Sequence, residues 1–257
     1  MAKANKKLQK TTKKLNVTEQ TNNENDEFNF NNEDDAEDIK FKNLSDIKFR
    51  TENQKKYWDL IGEKEVTLCA GPAGTGKSFI SLAKALEIFS KERKKYKKII
   101  IVKPAVEADE KLGYLPGSME EKLEPYIYST KYVLEKILGK AKINNLFLKG
   151  KIEIMALAYM RGINIDNAIL ILEEAQNCTP RQMKTILTRI GEDSKFIISG
   201  DHEQSDRYRN TKESGLYFAM EKLKDIPEIG IFEFEPEDIV RNPIVGKILE
   251  KFNGDVK

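Results

Sequence analysis

Several features are scarce or missing in this sequence of 257 residues, and each absence narrows what the protein can be. No apolar run approaches the roughly 18 residues needed to cross a membrane, so the sequence predicts a protein that stays in water. The Lys-rich N-terminus lacks the apolar stretch and small-residue cleavage site of a secretory signal, which predicts a cytoplasmic location.

Cysteine and histidine are also rare. The two cysteines, Cys69 and Cys178, lack metal-ligand spacing, and we expect both to be reduced thiols. The single histidine, His202, is expected to be a loop residue rather than a ligand. A formal net charge of +2 is too small to indicate nucleic-acid binding by itself.

Residues 1–50 differ in composition from the rest of the chain. Lysines dominate the start, and an acidic, Asn-rich stretch with almost no aliphatic residues lies between Glu19 and Asp38. Such a segment cannot offset the entropy of ordering, so we predict a disordered charged tail. Its Lys-rich start could be an arm that seeks nucleic acid, but a solvated tail is the favoured interpretation. Residues 51–257 form the predicted globular domain.

Within that domain, short apolar runs alternate with helical patterns, which predicts an α/β fold with a mainly parallel sheet and helices on both faces. The predicted strands are Val66–Ala70, Ile99–Val102, Ile152–Ala156, Ala168–Leu172, Phe196–Ser199 and Ile231–Phe234. The predicted helices run from Lys77 to about Ser90, from a capping box at Ser118 to about Leu138, and over Thr179–Arg189, Ser214–Leu223 and Asn242–Lys251.

The strongest motif is a phosphate-binding loop that follows the first predicted strand and opens a helix. Its residues match G-x-x-x-x-G-K-[ST] and are Gly71, Pro72, Ala73, Gly74, Thr75, Gly76, Lys77 and Ser78. Glycines allow several backbone N–H groups to face a polyphosphate at the positive end of a helix. Lys77 is expected to reach the β- and γ-phosphates, and Ser78 is expected to bind Mg²⁺. The loop therefore predicts binding of ATP together with Mg²⁺.

A pair of acids ends another apolar strand and suggests a hydrolytic role. Glu173 and Glu174 follow Ala168–Leu172, as in a Walker B segment. Glu173 would hold the metal, directly or through water, and Glu174 would polarise the attacking water as general base. The alternative is an acidic strand end at a helix cap. Ligands bind at the carboxyl edge of a parallel sheet, which favours the functional interpretation.

Other polar residues are candidates for sensing the nucleotide. Gln204 follows Ser199–Gly200–Asp201 and could read the γ-phosphate, although a polar turn is the simpler alternative. Gln54 could present its amide to an adenine edge, and Arg161 or Arg241 could clamp the γ-phosphate. The alternative for Gln54 is an ordinary polar residue on the exposed surface.

These motifs together resemble the PhoH-like family of ATPases, whose core is similar to the ATP-binding domain of superfamily-one helicases. The resemblance spans roughly residues 51–252. It rests on the phosphate loop and on Lys103–Ala108, Lys111–Gly117, Leu157–Gly162, Glu174–Asn177, Leu187–Gly191, Gly200–Asp201 with Gln204 and Asp206, and Asp238–Arg241.

The resemblance implies a RecA-like core, ATP hydrolysis, a cytoplasmic setting, and a link to RNA or single-stranded DNA. It also implies assembly into a homo-oligomeric ring, with a hexamer as one form. By position, it makes Gln54 an adenine reader, Gln204 a γ-phosphate sensor and Arg241 an arginine finger or sensor. The sequence departs from the family where Glu173 replaces the usual Asp and where Asn242 follows Arg241 in place of His.

The leading hypothesis is therefore an ATPase that drives conformational change. Residues 51–257 are expected to hold a single RecA-like lobe, so helicase-like activity would require an oligomer. No nuclease domain of the PIN type is expected. Two other classes remain open: a P-loop kinase of a small molecule, and a nucleotide-dependent scaffold or switch without significant hydrolysis.

Overall fold

A computed structural model describes residue 44 and residues 47–104, 119–160, 162–201 and 213–240, with the side chains of residues 119–126 not described. In this part of the chain, helices and strands alternate as the sequence predicts. The helices are α1 (Glu52–Glu63), α2 (Lys77–Lys91), α3 (Met119–Leu138), α4 (Lys140–Leu148), α5 (Pro180–Leu187) and α6 (Gly215–Leu223). The strands are β1 (Val66–Ala70), β2 (Lys98–Lys103), β3 (Ile152–Ala156), β4 (Ala168–Leu172), β5 (Lys195–Gly200) and β6 (Ile229–Glu233).

The strands form one sheet in the order β3-β2-β4-β5-β1-β6, and every pairing among them is parallel. The predicted α/β fold class, a P-loop NTPase core with helices on both faces, is confirmed. Because all strands run the same way, their carboxyl ends share one edge of the sheet. The register pairs Ala70 with Gly200 and Leu172 with Ile198, so the segments that follow β1, β4 and β5 begin side by side.

Alternate residues of the strands pack on opposite faces, as the pleat requires. On one face, Leu68, Leu170 and Phe196 belong to a buried cluster that includes side chains of α5 and α6. The opposite face is covered by α1, α2 and α3, which contact the strands directly. Strands buried on both faces explain why β1 and β4 appear in the sequence as continuous apolar runs.

Local sequence signals set most element boundaries. Thr179 caps α5 by accepting from the Gln182 N–H at 3.0 Å, and the Gln182 side chain accepts from the Thr179 N–H at 2.8 Å. This confirms the predicted capping box at that helix start. The predicted box at Ser118 and the predicted helix Asn242–Lys251 lie outside the described residues, as does the proposed tail almost entirely.

Two helices have no counterpart in the sequence prediction, and three strands differ from their predicted bounds. Strands β2 and β5 extend one residue further at each end, and β6 is shifted toward the N-terminus. No element is predicted from the sequence at α1 or α4. Helix α1 buries only Gln54, Tyr57 and Ile61 and so lacks a continuous apolar stripe. The predicted strand Ile231–Phe234 begins earlier, at Ile229, because Gly230 belongs to the strand. A Cβ at Gly230 would approach Leu60 Cγ to 2.8 Å, so this glycine allows α1 to pack closely on β6.

Among the described residues, no helix is long and apolar enough to cross a membrane. Neither Cys69 nor Cys178 forms a disulfide, and both are buried. Burial raises the pKa of the Cys69 thiol to about 12, so the thiol stays protonated at neutral pH.

Candidate functional site

The glycine loop lies between the end of β1 and the start of α2. Gly74 and Gly76 adopt φ angles of +93° and +92°, a region that favours glycine, and Gly76 is the residue from which α2 begins. At Gly71, an added Cβ would approach Phe234 Cβ to 2.6 Å. The loop can therefore bring backbone N–H groups together at the positive end of α2, where an anion is favoured.

Lys77 folds back over this loop. Its Nζ donates to the Gly71 carbonyl at 2.6 Å and to the Pro72 carbonyl at 2.8 Å. These carbonyls hold the ammonium beside the loop, where a phosphate oxygen can replace them as acceptor. The predicted contact of Lys77 with the β- and γ-phosphates stays a prediction.

The loop is also braced from outside by side-chain and backbone groups. Gln54 Nε2 donates to the Thr75 carbonyl at 2.9 Å, and Gln54 Oε1 accepts from the Arg50 N–H at 2.8 Å. The Val240 N–H donates to the Gly74 carbonyl at 3.1 Å. Because Gln54 is only 5% exposed and both ends of its amide are engaged, reading an adenine edge would require one of these bonds to break. That predicted role of Gln54 stays a prediction.

A further hydrogen bond connects the segments that carry Gln54 and Val240. Asn53 Nδ2 donates to Asp238 Oδ2 at 2.8 Å. Burial alone would raise the pKa of Asp238, but hydrogen bonds from Asn53 and from the Glu235 N–H lower it below its ordinary value. The carboxylate form is thus the one that holds the segment before Val240 against the start of α1.

Across from the loop, the carboxyl ends of β4 and β5 supply acidic groups. Glu174 has a φ of +54°, a left-handed conformation that costs a non-glycine residue about 1–3 kcal/mol. Gln176 Nε2 donates to Glu174 Oε2 at 2.7 Å, and Gln176 Oε1 accepts from the Asp201 N–H at 3.0 Å. One amide therefore fixes the direction of the Glu174 carboxylate relative to the end of β5.

The loop and these acids enclose a cleft of about 360 Å³, a volume within the range of small-molecule sites. Its lining consists of Ala73, Gly74, Gly76, Lys77, Ser78, Phe79, Glu174, Ser199, Gly200 and Asp201. A cation, a hydroxyl and two carboxylates thus face the same space. Gly71, Pro72 and Thr75 lie outside the lining, and their predicted contacts with the nucleotide stay predictions.

Glu173 points away from this group of residues and is 4% exposed. Its Oε2 accepts from Thr130 Oγ1 at 2.6 Å and lies 3.3 Å from Lys103 Nζ. Lys103 Nζ also donates to Ser129 Oγ at 2.9 Å, so Glu173 is linked to both β2 and α3. The structure brings Ser78 and Glu174 into the cleft, whereas Glu173 lies outside its lining, and its predicted role as a metal ligand stays a prediction.

Several predicted site residues, namely Gln204, Arg161 and Arg241, lie outside the described residues, as do His202 and Asp206.

Reasoning from the sequence did not assign roles to Gln176, Thr130 or Phe79. Gln176 had one usable signal, its place two residues after Glu174. Its contact depends on the left-handed turn at Glu174, which the sequence does not reveal. Thr130 has no local signal, since it meets Glu173 only through the packing of α3 on the sheet.

The parallel sheet, the glycine loop between β1 and α2, and the acids at the ends of β4 and β5 give this chain the fold and phosphate loop of a P-loop NTPase. A family model described as "PhoH-like protein" matches residues 46–253. The chain belongs to the PhoH-like family.

Relatives with this description support the same membership. A PhoH-like protein of Bacillus subtilis is 44% identical over 207 residues, which cover 80% of this chain and 64% of that protein. A PhoH-like protein of Synechocystis is 41% identical over 206 residues, with 80% and 62% covered. Protein PhoH of Escherichia coli K12 is 39% identical over 214 residues, with 82% and 60% covered. The chain thus spans less than two thirds of the length of these relatives.

Solved structures with a similar arrangement include helicases. Pif1 helicase from Candida albicans has a TM-score of 0.39 at 12% identity, covering 82% of this chain and 46% of that one. Bacteroides Pif1 bound to ssDNA has a TM-score of 0.33 at 16% identity, covering 82% and 47%.

Proposed function

We propose that this chain binds ATP with Mg²⁺ in the cleft between the glycine loop and the ends of β4 and β5, and hydrolyses it. The observation that carries the proposal is the shared cleft, in which Lys77, Ser78, Glu174 and Asp201 all take part. A polyphosphate needs the donors on one side, and an attacking water needs a carboxylate on the other.

On the donor side, backbone N–H groups of the loop and the first turn of α2 bind phosphate oxygens. Lys77 exchanges the Gly71 and Pro72 carbonyls for the β- and γ-phosphates. Because the donors are fixed before the substrate arrives, little reorganisation is needed as charge develops on the phosphate. The braces from Gln54 and Val240 keep the loop in this form.

The residues of the cleft suit Mg²⁺, which prefers oxygen ligands. Ser78 would supply a hydroxyl, and Asp201 is a carboxylate in the lining. Glu173 would take part after giving up its contacts with Thr130 and Lys103. When bound, the ion neutralises negative charge on the triphosphate.

On the acid side, Glu174 is the proposed general base. Gln176 holds one carboxylate oxygen, which leaves the other to accept a proton from water. A positioned base of this kind contributes roughly 10²–10⁴-fold to a rate. Gln204 is proposed to sense the γ-phosphate. Arg241 is proposed as an arginine finger, which is supported by the bond between the preceding residue, Val240, and the loop.

Coupling to RNA or single-stranded DNA, within a homo-oligomeric ring, is the broader proposal that follows from the family resemblance. One surface supports it. Tyr128 and Tyr132 lie one turn apart on α3 and are 72% and 49% exposed, with Lys131 and Lys136 nearby on the same helix. Exposed aromatic rings beside lysines are suited to stacking bases and attracting phosphates.

The test is phosphate release from Mg·ATP by the wild type, by Lys77→Ala and by Lys91→Ala. Lys91 is a matched control because it lies in the last turn of the same helix, far along the chain from the loop, and pairs only with Glu87 on the surface among the contacts described. We expect Lys77→Ala to lose turnover by at least about a hundredfold and Lys91→Ala to keep it. Equal turnover in all three proteins would contradict the proposed ATP-binding site.

The same assay separates the alternatives. A wild type that binds Mg·ATP without releasing phosphate would be a nucleotide-dependent scaffold or switch. Phosphate that appears on an added hydroxyl compound instead of in solution would indicate a kinase. Stimulation by single-stranded RNA or DNA that is lost in a Tyr128→Ala, Tyr132→Ala variant, with unstimulated turnover retained, would support the nucleic-acid proposal.

A further inference from the structure

One residue of the cleft has no part in the phosphate chemistry. Phe79 is 40% exposed, although the other apolar residues of α2 are at most 5% exposed. It directly follows Ser78 in the first turn of the helix and lines the cleft. Single exposed apolar residues are common on proteins, but Phe79 is exposed within the cleft and next to Ser78, and this position calls for an explanation.

The composition of the cleft suggests that explanation. Apart from Phe79, its described lining consists of glycine, alanine, serine, lysine and acidic residues. These groups serve a polyphosphate and its counter-ion, and they offer no broad apolar surface. The nucleoside part of a nucleotide carries a flat base, which is stabilised by an aromatic face.

The position of Phe79 matches the place where a nucleoside would begin. The N–H groups of the first turn of α2 are the donors that hold phosphates, and Phe79 belongs to that turn. A nucleotide held there by its phosphates has its sugar and base within reach of a side chain on the same turn. Gln54, in contrast, is buried, and both ends of its amide are engaged by backbone groups.

We propose that Phe79 is a nucleotide-specificity residue that stacks on the base or sugar of the bound nucleoside triphosphate. The inference rests on the proposed function, because it needs a triphosphate in the cleft. Since every base has an aromatic face, stacking distinguishes nucleotides from inorganic polyphosphate and contributes little to the choice between adenine and guanine.

The test is calorimetric titration of the full chain with three Mg²⁺-bound ligands: adenylyl imidodiphosphate, guanylyl imidodiphosphate and inorganic tripolyphosphate. The proteins are the wild type, Phe79→Ala, Phe79→Tyr and Phe218→Ala. Phe218 is the matched control, since it is a phenylalanine 44% exposed in the first turns of α6 and does not line the cleft.

We expect Phe79→Ala to weaken both nucleotide analogues about tenfold while leaving tripolyphosphate unchanged. Phe79→Tyr keeps the ring and should bind like the wild type, as should Phe218→Ala. Equal weakening of all three ligands by Phe79→Ala would mean that Phe79 only shapes the loop, and unchanged binding of the nucleotide analogues would also overturn the stacking role. A wild type that binds none of the three ligands would instead overturn the proposed function itself.

Discussion

Gln176→Glu is the substitution that most sharply tests how Glu174 is held. It keeps the shape of the side chain and the oxygen that accepts from the Asp201 N–H, but it replaces the donor to Glu174 with a second carboxylate. At the observed separation of 2.7 Å, two full charges at an effective dielectric constant of 20 repel by about 6 kcal/mol. Rotation of the side chains reduces this repulsion. One third of it would still raise the pKa of the carboxylate pair by more than one unit.

Two carboxylates this close relieve the repulsion by sharing a proton, which removes Glu174 as a base at neutral pH. We therefore expect kcat at pH 7 to fall about tenfold or more and the acid limb of the kcat profile to move to higher pH by at least about one unit. The assay is steady-state phosphate release from saturating Mg·ATP between pH 5.5 and 9.5.

Gln182→Glu is the matched control. It makes the same change of charge, and glutamate is equally suited to the capping box that Gln182 forms with Thr179. Its profile should follow the wild type. If Gln176→Glu also follows the wild type, with kcat and the acid limb unchanged, the bond between Gln176 and Glu174 does not position the base.

Three further predictions concern other contacts. Thr130→Val removes a donor from the buried Glu173 carboxylate, so we expect urea denaturation to show a loss of about 1–3 kcal/mol in the free energy of unfolding; a loss below about 0.5 kcal/mol would contradict the contact. Arg241→Ala should lower kcat at least about tenfold without changing the native mass of the assembly, and unchanged kcat would end its proposed role as a finger. Burial lowers the pKa of Lys195 to about 8, so between that pH and about 10.4 the unfolded chain binds more protons than the folded one. The free energy of unfolding of the wild type should then rise relative to Lys195→Met as the pH of urea denaturation goes from 7.5 to 9.5, and a flat difference would contradict the shift.

The parts of the fold that could be predicted from sequence are those with a strong local signal. Strands β1, β3 and β4 have the predicted boundaries. The signal is clearest for β1 and β4, which are fully buried and end just before Gly71 and Glu173. The glycine loop was predicted from its own spacing together with the strand before it and the helix after it. The position of β6 was less accurate, since Gly230 signals a break in the sequence but serves close packing in the fold.

The site was harder to predict where its contacts join distant segments. The acidic pair was recognised, but the sequence does not reveal that Glu174 turns to the cleft while Glu173 turns to Thr130, 43 residues away in the chain. Similarly, the sequence leaves Gln54 as either an adenine reader or an exposed surface group. Its bond to the Thr75 carbonyl depends on how α1 packs beside the loop, which no local pattern specifies.

The central claim is that one cleft both holds the triphosphate and prepares water to attack it. Single-turnover phosphate release, measured for the wild type and for Glu174→Gln on preparations whose Mg·ATP binding is determined in parallel, tests this claim most directly. We expect both proteins to bind Mg·ATP with similar affinity and the variant to release phosphate at least about a hundredfold more slowly. Release by Glu174→Gln at the wild-type rate, or a wild type that binds no Mg·ATP, would contradict it.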